Sequence, residues 1–120
     1  MSEAPQETPL LDLLSNMTAD SLAASNLDAR TMILVRIAAL AAVDAPPMSY
    51  VMHLGVADEV GVESEQIRDV LTAIAPIVGT ARIGSAVATM AAALAIELEA
   101  AMLDEAMLEA ESSEEKQSSQ

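Results

Sequence analysis

The sequence predicts an all-α fold, and three observations support this. Apolar residues recur at spacings of three and four, and proline and glycine interrupt the chain where helices would end. The strict apolar and polar alternation of a strand does not occur. The chain has 120 residues, a length typical of one compact domain. We therefore expect one bundle of about five to six helices.

Two helices are predicted in the first third of the chain. Thr8 can cap the first, with Pro9 in its first turn, and the helix runs to about Ala24 with or without an interruption. Asp28 can cap the second, residues 29–43, which is apolar on nearly all sides. Such a helix is buried on most of its surface, so we expect it at the centre of the fold.

The next two helices are bounded by proline and glycine. Pro46 and Pro47 end the second helix and open a third, which runs to about Val60, before Gly61. Glu63 or Ser64 opens a fourth helix. Its apolar stripe consists of Ile67, Val70, Leu71 and Ile74, and Pro76 and Gly79 end or kink it.

A long fifth helix is predicted from Thr80 to roughly Glu109. Small residues share one face of it and favour close approach of another helix: Gly84, Ala88, Ala92 and Ala95. Residues 111–120 contain no apolar side chain and are predicted to form a disordered acidic tail. The predicted division is an N-terminal helical extension (1–26), a helical domain (27–110) and this tail.

Composition excludes several classes of function. The chain carries 19 acidic and five basic residues, a net charge of −14, which disfavours nucleic acid and anionic membranes. It has no cysteine, so disulfides, thiol catalysis and thiolate metal sites are excluded. The acidic C-terminal stretch has no calcium-loop pattern, and we expect no metal and no cofactor.

The sequence also predicts a cytoplasmic protein without a membrane span. Its acidic N-terminus lacks the layout of a secretory signal. The longest apolar run without a charged residue, residues 83–96, is diluted with small and polar side chains. It is also shorter than the ~20 residues that cross a bilayer.

Several segments, in order, resemble the carboxymuconolactone decarboxylase family, which includes the alkylhydroperoxidase D proteins. They are Leu27-Asp28-Ala29-Arg30, the apolar helix through Leu40, His53, residues 61–67 and residues 76–81, so the resemblance covers about residues 27–95. It implies an alkylhydroperoxidase D-like helical bundle that assembles as a homo-oligomer, a trimer or hexamer.

The resemblance also locates a site, from which the reactive groups are missing. The peroxidase branch of the family uses Cys-x-x-Cys-x-x-x-His, and alignment on His53 places Pro46 and Ser49 at the cysteine positions. The glutamate expected 19 residues before the histidine is Leu34. The lactone decarboxylase branch resembles Glu-x-x-x-His, and Ser49 stands in place of that glutamate. Of the residues that the two branches use, only the histidine is present here, as His53.

Three residues are candidates for a site. His53 could act as a general acid or base, with Ser49 on the same helical face. The favoured alternative is a partly buried structural histidine with a satisfied hydrogen bond. No acid is identified that would orient a Ser–His pair. Arg36 interrupts an apolar helix, and it could anchor a carboxylate ligand. The favoured alternative is an ion pair, within or between subunits, with Asp44, Asp58 or Asp69.

Two classes of function follow from these observations. The first is a helical oligomer with a degenerate site and a binding or structural role. The second is an enzyme that uses His53 to process a lactone or decarboxylate a small carboxylate. Any ligand is expected where the start of the third helix faces the second, in contact with His53, Ser49 and Arg36.

Overall fold

A computed structural model describes residues 8–118 as five α-helices joined by short turns. The helices are α1 (Pro9–Ala24), α2 (Ala29–Ala42), α3 (Pro47–Glu59), α4 (Ser64–Val78) and α5 (Thr80–Ser118). No strand occurs between residues 8 and 118. The all-α prediction is therefore confirmed.

Helix α2 lies at the centre of the fold, as predicted, and packs against α3, α4 and α5. It begins at Asp28, whose carboxylate accepts hydrogen bonds from the Thr31 hydroxyl at 2.6 Å and the Thr31 backbone N–H at 3.1 Å. These bonds, the hydroxyl bond first, stabilise the charged carboxylate and lower the pKa of Asp28. The buried residues of the helix are Met32, Ile33, Ile37 and Ala41.

Helices α2 and α3 end in the same kind of turn, with one residue in the left-handed region. After α3 this residue is Gly61, with φ 79°, and the Val62 N–H donates to the Ala57 carbonyl at 2.8 Å. After α2 it is Asp44, with φ 55°, and the next N–H closes an equivalent ring at 3.0 Å. This pattern is the Schellman motif, in which the left-handed residue satisfies the last carbonyl groups of the helix.

Helix α4 begins at Ser64 with Glu63 as its N-cap, the first of the two openings predicted. Glu63 and Gln66 form a capping box in which each side chain accepts from the backbone N–H of the other residue. The Gln66 side-chain oxygen also accepts from the Arg30 guanidinium at 3.0 Å, which connects α4 to α2. Pro76 lies inside α4, and the helix ends before Gly79, whose φ is 95°.

Helix α1 makes few contacts with the rest of the fold. All of its residues are exposed, and it packs against none of the other described helices. Its large apolar side chains, which are all about half exposed or more, are Leu10, Leu11, Leu13, Leu14, Met17 and Leu22. An isolated chain therefore leaves an amphipathic helix without a partner.

The N-terminal half of α5 packs against α2 and α3, but through a different face from the predicted one. Gly84, Ala88, Ala92 and Ala95 are exposed, whereas the buried residues are Ala86, Met90 and Ala93. The prediction of the packing face was wrong because this helix is apolar nearly all round. Sequence spacing then does not distinguish the face that meets its neighbours.

The C-terminal end of α5 also differs from the prediction, since residues 111–118 are helical rather than disordered. Residues 119–120, and residues 1–7 of the N-terminal extension, lie outside the described residues. Extending an existing helix avoids the cost of nucleation, and Glu, Lys and Gln are good helix formers. An apolar face is therefore not needed to continue the helix.

Helix α5 is also the one described helix whose length and apolar composition would allow it to cross a membrane. Those two criteria are met by core helices of soluble proteins as well. Part of α5 packs against α2 and α3, and the helix gives no positive evidence for a membrane.

Candidate functional site

His53 lies on α3 and is half-buried. Its Nδ1 is 2.6 Å from the backbone carbonyl oxygen of Ser49, one helical turn earlier. A carbonyl oxygen can only accept a hydrogen bond, so Nδ1 carries the proton and donates it. In the neutral ring, Nε2 then has no proton and can accept one from another group.

Ser49 and His53 are brought together, but not as a nucleophile and a base. The imidazole bonds to the carbonyl of Ser49 rather than to its hydroxyl. A nucleophilic pair requires a hydrogen bond between the hydroxyl and the imidazole, with a third group orienting the ring. The observed bond instead holds His53 against its own helix, which is the structural alternative considered from the sequence.

The start of α3 has few N–H groups to offer an anion. Pro46 is the N-cap and Pro47 the first helical residue, and neither has a backbone N–H. The Ser49 N–H already donates to the Pro46 carbonyl at 3.1 Å. This helix start is therefore a poorer anion site than an ordinary one, where several N–H groups point outward.

Arg36 donates from Nη2 to the Ser21 hydroxyl of α1 at 3.2 Å. This bond directs the guanidinium toward α1. Within the chain, no ion pair joins Arg36 to Asp44, Asp58 or Asp69 among residues 8–118, and a pair between subunits stays a prediction. Asp44 instead accepts a hydrogen bond from the Ser85 hydroxyl at 2.6 Å.

Two other arginines also connect α2 to its neighbours. Arg30 bonds to Gln66 of α4, and Arg82 of α5 donates to the Ala42 carbonyl at the end of α2. A cation at a helix C-terminus is favourable because the last carbonyl groups carry partial negative charge.

Tyr50 is the group that the sequence reasoning missed. It is fully buried at the centre of the core, and its hydroxyl has no hydrogen-bond partner within the described residues. Burial, and after it the negative charge of Asp44, raises the pKa of Tyr50. The available signal was that this residue is the single aromatic side chain in a chain rich in small aliphatic ones.

The distal half of α5 carries a surface groove. A shallow groove of about 400 Å³ is lined by Leu94, Ala95, Leu98 and Ala101. None of these residues belongs to α2 or α3, which carry the three predicted site residues. Among the described residues, no group of three or more His, Cys, Asp or Glu side chains is arranged to hold a metal ion.

The fold and site define an all-helical protein with one half-buried imidazole and no sulfur nucleophile. A model of the carboxymuconolactone decarboxylase family matches residues 9–95, most of the chain. The chain therefore belongs to the carboxymuconolactone decarboxylase family, and the resemblance seen in the sequence is confirmed. The match includes α1, which the sequence reasoning treated as an extension. Among curated proteins and solved structures, no match was found.

Proposed function

We propose that this protein is a carboxymuconolactone decarboxylase-family member without cysteine redox chemistry, acting as a homo-oligomer with a binding or structural role. The observation that carries the proposal is the loss of the reactive groups from the family's site. Pro46 and Ser49 occupy the thiol positions, and no cysteine occurs elsewhere in the chain. Without a thiolate, neither attack on a peroxide nor disulfide formation can proceed by the family's route.

The proposed oligomer, a trimer or hexamer by family resemblance, is supported by the surface of the chain. The accessible surface is 9011 Å², whereas a folded monomer of this mass exposes about 6200 Å². The radius of gyration is 19.1 Å, against about 13.5 Å for a compact domain of this length. The excess surface exceeds the ~800 Å² per partner of a standard protein interface.

A His53-dependent enzyme that processes a lactone or small carboxylate is the second candidate. One observation favours it: the bond from Nδ1 to the Ser49 carbonyl leaves Nε2 able to take up a proton. Against it, Arg36 bonds toward α1, and the α3 start has few free donors. The binding or structural role is therefore the better supported of the two.

A lactone-hydrolysis and decarboxylation assay on small carboxylates separates the two candidates. Wild type and His53→Gln are compared, since glutamine can still donate a hydrogen bond to the Ser49 carbonyl but cannot transfer a proton at neutral pH. We expect no turnover by either. Turnover by wild type that His53→Gln abolishes, with melting temperature unchanged, would favour the enzyme.

Peroxide consumption tests the redox part of the proposal. We expect none above a heat-treated control, because methionine oxidation is not a turnover mechanism. Continued consumption after metal removal would contradict the proposal.

A further inference from the structure

The distal half of α5, residues 94–118, projects beyond the packed helices. Its large apolar side chains are more than 40% exposed and include Leu94, Ile96, Leu98, Met102, Leu103, Met107 and Leu108. The family match ends at residue 95. All of this segment except Leu94 and Ala95 therefore lies beyond the matched region.

One face of this segment continues the face that α5 already buries. Ala86 and Ala93 lie one heptad apart in the core, and from Ala93 the apolar positions continue at spacings of three, four, three, four and three. We name these five positions the α5 seam: Ile96, Ala100, Leu103, Met107 and Ala110. Alternating spacings of three and four are the repeat that holds two helices together along their length.

The opposite face is less continuous. Leu94, Leu98 and Ala101 follow the same spacing, but Glu105 occupies the next position. A carboxylate there would be buried without a cation if this face were covered. The seam has no charged residue from Ile96 to Ala110, a length of about 21 Å.

We propose that the α5 seam pairs with the α5 seam of a second copy of this chain. The excess accessible surface and the extended shape leave enough uncovered area for a standard interface with a partner. The seam also contains both bulky residues (Ile96, Leu103, Met107) and two alanines, Ala100 and Ala110, beside which the bulky side chains of a facing helix can fit. A symmetric pair uses the same surface twice and needs a two-fold axis, which a hexamer of two trimers contains and an isolated trimer does not.

Charge distinguishes a second copy from other partners. The distal half of α5 carries carboxylates beside the seam, among them Glu99, Asp104 and Glu111. Two copies therefore repel each other, and salt should strengthen their association by screening that repulsion. A basic partner would be released by salt instead, and an anionic bilayer would repel this helix.

The absence of cysteine allows a direct test on the full-length chain. Single substitutions along the seam (Ala100→Cys, Leu103→Cys, Met107→Cys) each introduce one thiol, with Leu98→Cys and Met102→Cys as controls on the opposite face. Under mild oxidation we expect a covalent dimer from at least one seam variant and from neither control. Equal cross-linking on both faces, or none at the seam, would overturn the inference.

A matched pair of double variants gives a second readout. Leu103→Gln with Met107→Gln changes the seam, and Leu98→Gln with Met102→Gln makes the same exchanges on the opposite face, where exposure is similar. We expect the double variant on the seam to weaken association at least about tenfold, which is ~1.4 kcal/mol of association free energy. The control double variant should weaken it less than about threefold. A larger effect of the control would overturn the inference.

The inference rests on the proposed homo-oligomer, and the two can fail separately. If the full-length wild type is a monomer at every salt concentration, both fail. If the wild type is an oligomer and the double variant Leu103→Gln with Met107→Gln leaves that oligomer intact, this inference fails and the proposed oligomer stands.

Discussion

Removing the Tyr50 hydroxyl should stabilise this protein. The side chain is 0% exposed, and its hydroxyl has no hydrogen-bond partner within the described residues. A buried polar group without a partner loses its bonds to water on folding and gains none in return. Tyr50→Phe removes that group and keeps the ring that fills the core.

The expected gain is worked from the cost of an unpaired buried hydroxyl. That cost is about 1–3 kcal/mol, and we expect at least ~1 kcal/mol of it to be recovered. For a domain of this size, such a gain raises the melting temperature by roughly 4 °C. Tyr50→Ala also removes the hydroxyl but empties the ring's space, so it should instead cost about 3–5 kcal/mol.

Alkaline pH provides a second test of the same residue. Burial and Asp44 raise the pKa of Tyr50 above its ordinary value of 10.0. The unfolded chain then releases the phenolic proton before the folded chain does, so stability falls as pH rises above that value. Phenylalanine has no such proton, and the advantage of Tyr50→Phe should widen in this range.

Thermal and urea unfolding at equal protein concentration measure these differences, since the stability of an oligomer depends on concentration. If Tyr50→Phe lowers the free energy of unfolding at neutral pH by about 1 kcal/mol or more, which is the contribution of one hydrogen bond, the prediction is wrong. It would mean that the hydroxyl has a partner, such as a bound water.

Two further predictions concern helix ends. Asp28→Ala should lower the melting temperature at neutral pH more than the control Asp20→Ala in exposed α1, because it removes the α2 cap. The pKa of Asp28 is lowered, so its contribution is lost as pH falls below the ordinary value of 3.8, and the difference should disappear in acid. Gly61→Ala should lower the free energy of unfolding by about 1–2 kcal/mol, because Gly61 has a left-handed backbone. Gly84→Ala, in a helix with open space around it, should raise it by ~0.5–1 kcal/mol. Urea unfolding measures both, and changes of the same sign would contradict the prediction.

The helix order and ends could be predicted because they depend on neighbouring residues. The Asp28 cap, the Glu63–Gln66 capping box and the Gly61 turn each involve groups within a few residues of one another. The central place of α2 followed from its apolar composition on nearly all sides.

The contacts between helices could not be predicted in this way. The partners of Arg36 and Arg82 lie 15 and 40 residues away in sequence. The packing face of α5 was mistaken because apolar residues surround that helix, and residues 111–118 were taken as disordered because composition does not reveal a helix extended from a folded one. Only part of the candidate site could be predicted. The missing thiols were visible in the sequence, but the hydrogen bond from His53 to the Ser49 carbonyl depends on a side-chain conformation that the sequence does not give.

The molar mass of the untagged full-length chain in solution tests the central claim most directly. We propose a family member that lacks thiol chemistry and retains an assembly of helices. Sedimentation equilibrium at micromolar concentration should therefore give a mass several times that of the chain, with a trimer or hexamer expected by family resemblance. A monodisperse species of 12.5 kDa would contradict the account.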